Sequence, residues 1–116
     1  MNSQRHWEDY LEDILDAVES IEEFILDMGY EEFLRDRKTS FAVVRSLEII
    51  GEATKNIPDS VREVYPDIPW QDMAGMRDIM IHHYFGIDYL VVWKTISEDI
   101  PVIKPILKEI LNNIGA

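Results

Sequence analysis

From Tyr89 to Ile114 the apolar residues fall at steps of four and three without a miss: Tyr89, Trp93, Ile96, Ile100, Ile103, Leu107, Ile110 and Ile114. With about 3.6 residues per turn, a helix gathers such a series into one stripe; a strand would need alternation at every second residue. The same rhythm opens the chain, at Trp7, Leu11, Ile14, Val18, Ile21, Ile25 and Met28, with acidic residues over most of the remaining surface. Two long amphipathic helices at the two ends of the chain require other helices between them to cover their apolar stripes.

The middle of the chain supplies them. Gly29 is placed to close the first helix in a left-handed cap. Residues 30–38 form a short polar connection with room for one turn of helix. Thr39 or Ser40 is then placed to cap a second helix whose buried face carries Val43, Leu47, Ile50 and Ile57 and which ends before Pro58. Gly51 lowers helix propensity there by roughly 1 kcal/mol against Ala, which points to close approach by another helix. Residues 58–69 hold three prolines and read as a loop, with a turn around Ser60 to Tyr65. Pro69 suits the first turn of a third helix running from about Trp70 to about His83, because its missing N–H is not needed there. Gly86 breaks that helix and Asp88 caps the next. Pro101 and Pro105 either kink the last helix or, with Asp99 as a cap, divide it in two. No alternating pattern of a strand occurs. The expectation is an all-α, up-and-down bundle of four to five helices, with residues 1–116 as one domain. A coiled-coil oligomer is the rival, since both terminal stripes have nearly heptad spacing, but the Gly and Pro interruptions favour a compact bundle.

Composition narrows the function classes. The 116 residues contain no cysteine, which excludes disulfides, cysteine-based zinc sites and thiol nucleophiles. There is no run of membrane-spanning length and no apolar leader, so a cytoplasmic protein with no membrane association is expected. The net charge of −12 opposes phosphate binding, but it is unevenly spread. Glu8 to Glu32 hold 11 of the 23 acids and no Lys or Arg, whereas from Phe33 onward 12 acids face 10 bases. The acidic segment reads first as a solvated face and second as a docking surface for a basic partner. Arg35, Arg37 and Lys38 are the densest cationic cluster; with Arg45 they are the candidates for RNA contact.

Three histidines are present. His82 and His83 are adjacent, about 100° apart on a helix, which is not the spacing that lets two imidazoles grip one metal. No metal site and no cofactor are expected. As structural residues, these histidines suit a helix C-terminus, where imidazolium meets the partial negative charge of the last carbonyls. The chemical reading is different. Cleaving RNA without a metal takes a base for the 2′-hydroxyl proton and a cation for the phosphorane oxygens, and is helped by an acid for the leaving 5′-oxygen. Histidine near neutral pH can fill either proton role, and Arg77 offers a permanently charged planar fork to phosphate. Tyr84 adds a hydroxyl, and Asp78 could orient a histidine or the arginine. On an unbroken helix, however, Arg77 and His82 lie roughly 140° apart. Either the helix unwinds near His82, or two chains share one cleft.

The run Arg77-x4-His82-x-Tyr84 resembles the signature of HEPN-domain ribonuclease toxins of the HepT type. The stretches Leu47-Glu48-Ile49-Ile50-Gly51-Glu52-Ala53 and Tyr84-Phe85-Gly86-Ile87-Asp88 resemble the same family, and the likeness covers roughly Arg5 to Ile110. The resemblance implies a homodimeric helical bundle with its cleft at the dimer interface, and a metal-independent endoribonuclease with Arg77 and His82 as catalytic residues. It implies a nucleotidyltransferase antitoxin of the MNT type that adds AMP to the signature tyrosine, here Tyr84. Asp78 and His83 become supporting residues. Against this enzyme reading stands a non-catalytic one, in which the chain is a helical binding partner of a nucleotidyltransferase or a nucleotide-binding regulator.

Overall fold

The computed structural model describes residues 6–82 and 86–115, with the side chains of 78–82 and 115 left aside. Its elements are all helical: α1 Trp7–Phe24, α2 Tyr30–Arg35, α3 Arg37–Lys55, α4 Asp59–Val64, α5 Trp70–His82, α6 Tyr89–Lys94, a π-helical turn at Thr95–Asp99, and α7 Ile100–Gly115. Four long rods, α1, α3, α5 and the α6–α7 run, make the bundle; α2 and α4 are short struts between them. Among the described residues there is no strand, and no helix is long and apolar enough to cross a membrane.

The two terminal stripes meet in the core as their spacing requires. Leu11, Ile14, Val18 and Ile21 of α1 are fully buried, as is Leu107 of α7, with Ile100 and Ile103 at 1% exposure. Trp7, Ile25 and Ile114 pack against the margin of this core. The middle rod, α3, presses against α1 on one side and α5 on the other. It contributes Val43, Leu47 and Ile50 to the same interior.

Helix ends depart from expectation in two places. Gly29 does not close α1: the helix stops at Phe24, Asp27 takes the left-handed conformation (φ 62°), and Gly29 begins α2 in extended backbone. Aspartate tolerates that region better than most side chains, so the chain turns before the glycine is reached. Nor do Thr39 or Ser40 cap α3. The carboxylate of Asp36 accepts the Thr39 backbone N–H at 3.1 Å, and the helix starts earlier, at Arg37. Asp88 does cap α6, accepting from the N–H groups of Leu90 and Val91. Neither a kink alone nor a capped restart describes the last rod. Its backbone stays helical, and the N–H of Ile100 donates to the carbonyl of Thr95, a π-type bond. Pro101 cannot donate to the carbonyl four residues earlier and its ring crowds it; the wider turn just before it relieves that conflict.

A set of side-chain bonds fixes where α5 begins. Arg62 of α4 donates from Nη2 to the Thr54 carbonyl at 2.8 Å and from Nε to the Ile57 carbonyl at 3.1 Å, satisfying carbonyls at the end of α3. The indole N–H of Trp70 donates to the carbonyls of Tyr65 and Arg62. The close of α3, the strut α4 and the start of α5 are thereby tied together, which sets the register of α5 along α3.

Candidate functional site

That register brings Arg77 against α3 at Gly51, about one turn before the helix ends at Lys55. The Cβ of any residue larger than glycine at position 51 would lie 2.6 Å from both Cβ and the backbone N of Arg77. Gly51 therefore permits a close approach of the two rods, the role its position in the helix suggests. The next residue along, Glu52, receives the arginine: Nε of Arg77 donates to its Oε2 at 2.8 Å. This pairing uses Nε, the inner nitrogen of the guanidinium. The Arg77 side chain stays 39% exposed and that of Glu52 58% exposed, so the pair is open to solvent and to an incoming anion.

Five residues further on, His82 is the last described residue of α5. The backbone is helical throughout, so no unwinding separates Arg77 from His82, and their positions lie about 140° apart around the axis. The side chains of Asp78 and His82, and all of His83 and Tyr84, lie outside the described residues. On both sides of the undescribed side chains the protein rests on α3: Arg77, the first residue of the signature, at Gly51, and Tyr89, beyond it, beside Ser40 and Phe41.

The predicted cations are only partly gathered. Arg35, Arg37 and Lys38 are all exposed at the junction of α2 and α3. The guanidinium of Arg37 sits over the ring of Phe41, 5.3 Å from its centroid. Arg45, two turns along α3 from Arg37, instead borders a groove with Asp13 and Asp16 of α1. The sequence reading missed two neighbours of the predicted residues. Glu52 stood in the stretch that carries the family likeness but had no assigned role. Phe41 lies off the apolar stripe of Val43, Leu47 and Ile50, and an aromatic on a polar face four residues after an arginine is the signal that could have found it.

A cleft of about 440 Å³ opens elsewhere, between α5 and the π-helical turn, and is lined by Gln71, Asp72, Gly75, Thr95, Asp99 and Ile103 among others. Gly75 is two residues before Arg77, roughly 160° around the helix, so this cleft faces away from the arginine. Burial, with added repulsion from Glu98 and Asp72, pushes the Asp99 carboxyl above the ordinary carboxylate range. Among the described residues no three His, Asp or Glu side chains gather as a metal-holding group.

Comparison with known proteins gives this geometry a context. Residues 14–110 match the family model described as "Ribonuclease HepT-like". A protein of Thermococcus cleftensis named "Probable ribonuclease HepT" is 57% identical over 101 residues, covering 87% of this chain and 92% of that protein. A protein of Methanocaldococcus jannaschii named "Putative RNase" is 49% identical over 105 residues, covering 90% of each. No solved structure matches the chain to significance.

Proposed function

Because the chain belongs to the ribonuclease HepT-like family, we propose that it is a metal-independent endoribonuclease toxin that cleaves RNA with Arg77 and His82. The observation that carries this reading is the posture of Arg77. Its backbone is pinned against Gly51 and its Nε is held by Glu52, while the side chain keeps 39% of its surface exposed. A guanidinium presented in that way suits the non-bridging oxygens of a phosphodiester. His82 takes the 2′-hydroxyl proton, the 2′-oxygen attacks phosphorus, and Arg77 offsets the charge gathering on the phosphorane. The P–O5′ bond then breaks and the 5′-oxygen is protonated, leaving a 2′,3′-cyclic phosphate and a 5′-hydroxyl. Asp78 and His83 support the pair.

The unbroken course of α5 bears on where this happens. With Arg77 and His82 on different sides of one helix, a cleft shared by two copies lets the arginine of one subunit face the histidine of the other. The active form in this reading is a homodimer acting in the cytoplasm. Its control is covalent: an MNT-type nucleotidyltransferase antitoxin transfers AMP to Tyr84, adding a bulky anion where the RNA phosphate must come.

Purified protein, freed of partner and of AMP, should cleave RNA in EDTA and leave 2′,3′-cyclic ends, and His82→Ala should not. Equal activity of wild type and His82→Ala would overturn the assignment. Stable association with a nucleotidyltransferase and no RNA turnover in any state would instead make the chain a non-catalytic partner. Intact mass after co-production with the nucleotidyltransferase tests the modification: a gain of AMP units is expected, and it should vanish in Tyr84→Phe.

A further inference from the structure

The face of α3 that carries Glu52 toward Arg77 begins, four turns earlier, with a different surface. Arg37, Lys38, Phe41, Arg45 and Glu52 fall within about 100° of arc on that helix, and all are exposed. Phe41 is 57% exposed although aromatic, even with the Arg37 guanidinium over its ring. Beside it is a shallow cleft of about 230 Å³, lined by Leu34, Arg37, Ser40, Phe41 and Tyr89. Tyr89 is held from behind by an edge-on contact with the buried Phe33, centroids 6.3 Å apart, so the floor of the cleft is anchored to the core. Arg37 lines the cleft, and the exposed Arg35 and Lys38 are its near neighbours in sequence, in a chain whose net charge is −12. A flat aromatic ring, a guanidinium over it and further exposed cations at the adjoining helix junction are the parts from which proteins build stacking sites for unpaired bases.

We infer that the Phe41–Tyr89 cleft is a subsite for an unpaired nucleotide of the RNA, its base stacked on Phe41 and its phosphates met by Arg35, Arg37 and Lys38. This rests on RNA being the substrate and adds which RNA: a single-stranded or looped one. The spacing agrees with a track along one strand. Phe41 and Gly51 are ten residues apart on one helix, about 15 Å, so a base held at Phe41 places the scissile linkage at Arg77 a few nucleotides away. A duplex cannot use the site, because its bases are stacked on one another and their faces are closed. Charge also selects the occupant: these cations favour a polyanion over a second copy of this acidic chain.

The test compares full-length wild type with Phe41→Ala, Phe41→Trp and, as a control at a distant exposed apolar position, Leu26→Ala. Binding of a fluorescent single-stranded RNA is read by anisotropy, beside a duplex of the same sequence, and cleavage of both is followed. Phe41→Ala should weaken single-strand binding and raise KM by about ten-fold or more, the loss typical of one stacked base. Phe41→Trp should bind as well as wild type or better, and Leu26→Ala should match wild type. Duplex binding should be weak and indifferent to position 41. Single-strand binding unchanged in Phe41→Ala would overturn the inference, as would equal cleavage of duplex and single strand. So would loss of self-association or of nucleotidyltransferase binding in Phe41→Ala with RNA binding intact, since the cleft would then be a protein interface. Binding is measured separately from turnover. Wild type that binds through Phe41 but cuts no RNA would therefore sink the catalytic reading and leave the subsite standing.

Discussion

At Gly51 two requirements meet in one missing methyl group. Alanine there would raise intrinsic helix propensity by about 1 kcal/mol. Its Cβ, however, would meet the backbone N of Arg77 at 2.6 Å, and backbone cannot swing aside as the tip of a long side chain can. Overpacking of this kind costs about 1–3 kcal/mol. Gly51→Ala should therefore destabilise the protein on balance, measured by urea unfolding; a variant more stable than wild type would show that α5 does not pack here as described. Glu52 calls for the opposite pattern. An exposed ion pair contributes at most about 1 kcal/mol, so Glu52→Gln should unfold at nearly the wild-type midpoint. Its RNA cleavage should nonetheless fall about ten-fold in kcat, because the guanidinium loses the partner that aims it. Unchanged kcat would leave Glu52 with no positioning role. Of these two residues only the first was legible in the sequence. A glycine inside a helical stripe announces close packing by itself. The pairing of Glu52 with Arg77, 25 residues later, depends on the register that Arg62 and Trp70 impose, and no local pattern encodes that.

Among the helices, the apolar rhythm read the rods correctly and the ends less well. The four-three stripes of α1 and α7 are buried as their spacing demands, since period alone decides which side of a helix loses water. Ends are decided by competition among neighbouring polar residues. Asp36 prevailed over Thr39 and Ser40 because its carboxylate reaches the Thr39 N–H and is the stronger acceptor. That hydrogen bond holds the Asp36 carboxyl below its ordinary value of 3.8. A lowered carboxyl contributes stability when ionised, so its help is complete well above that value and is lost as pH falls through the lowered range. Asp36→Ala should melt below wild type at pH 7, and the gap should narrow under strongly acidic conditions. A gap independent of pH would mean that the cap acts through something other than its charge.

Taken whole, the molecule keeps its charges apart. The acids of α1 and α2 stand against a small cationic corner where α2 meets α3, and a net value of −12 conceals that corner. Its presence was legible once charge was counted by segment, whereas the aromatic surface beside it, signalled only by Phe41 lying off the apolar stripe, was missed. Two effects of salt should consequently run in opposite directions. Added salt screens the repulsion among the acids and should raise the melting temperature. It should also weaken single-strand RNA binding, with a slope of log K against log salt of roughly −2 if Arg35, Arg37 and Lys38 each displace a counterion. A slope near zero would remove these cations from the interface.

The near-contact of Gly51 with Arg77 also constrains what chance mutation can do. The main chain of the arginine lies against Gly51 near the C-terminal end of α3, so moving it means shifting α5 as a whole against that rod. A genetic screen for inactive yet abundant protein should recover changes at side-chain tips, such as that of Arg77 itself, and almost none at residue 51. Lesions at residue 51 should surface instead among clones whose product is degraded.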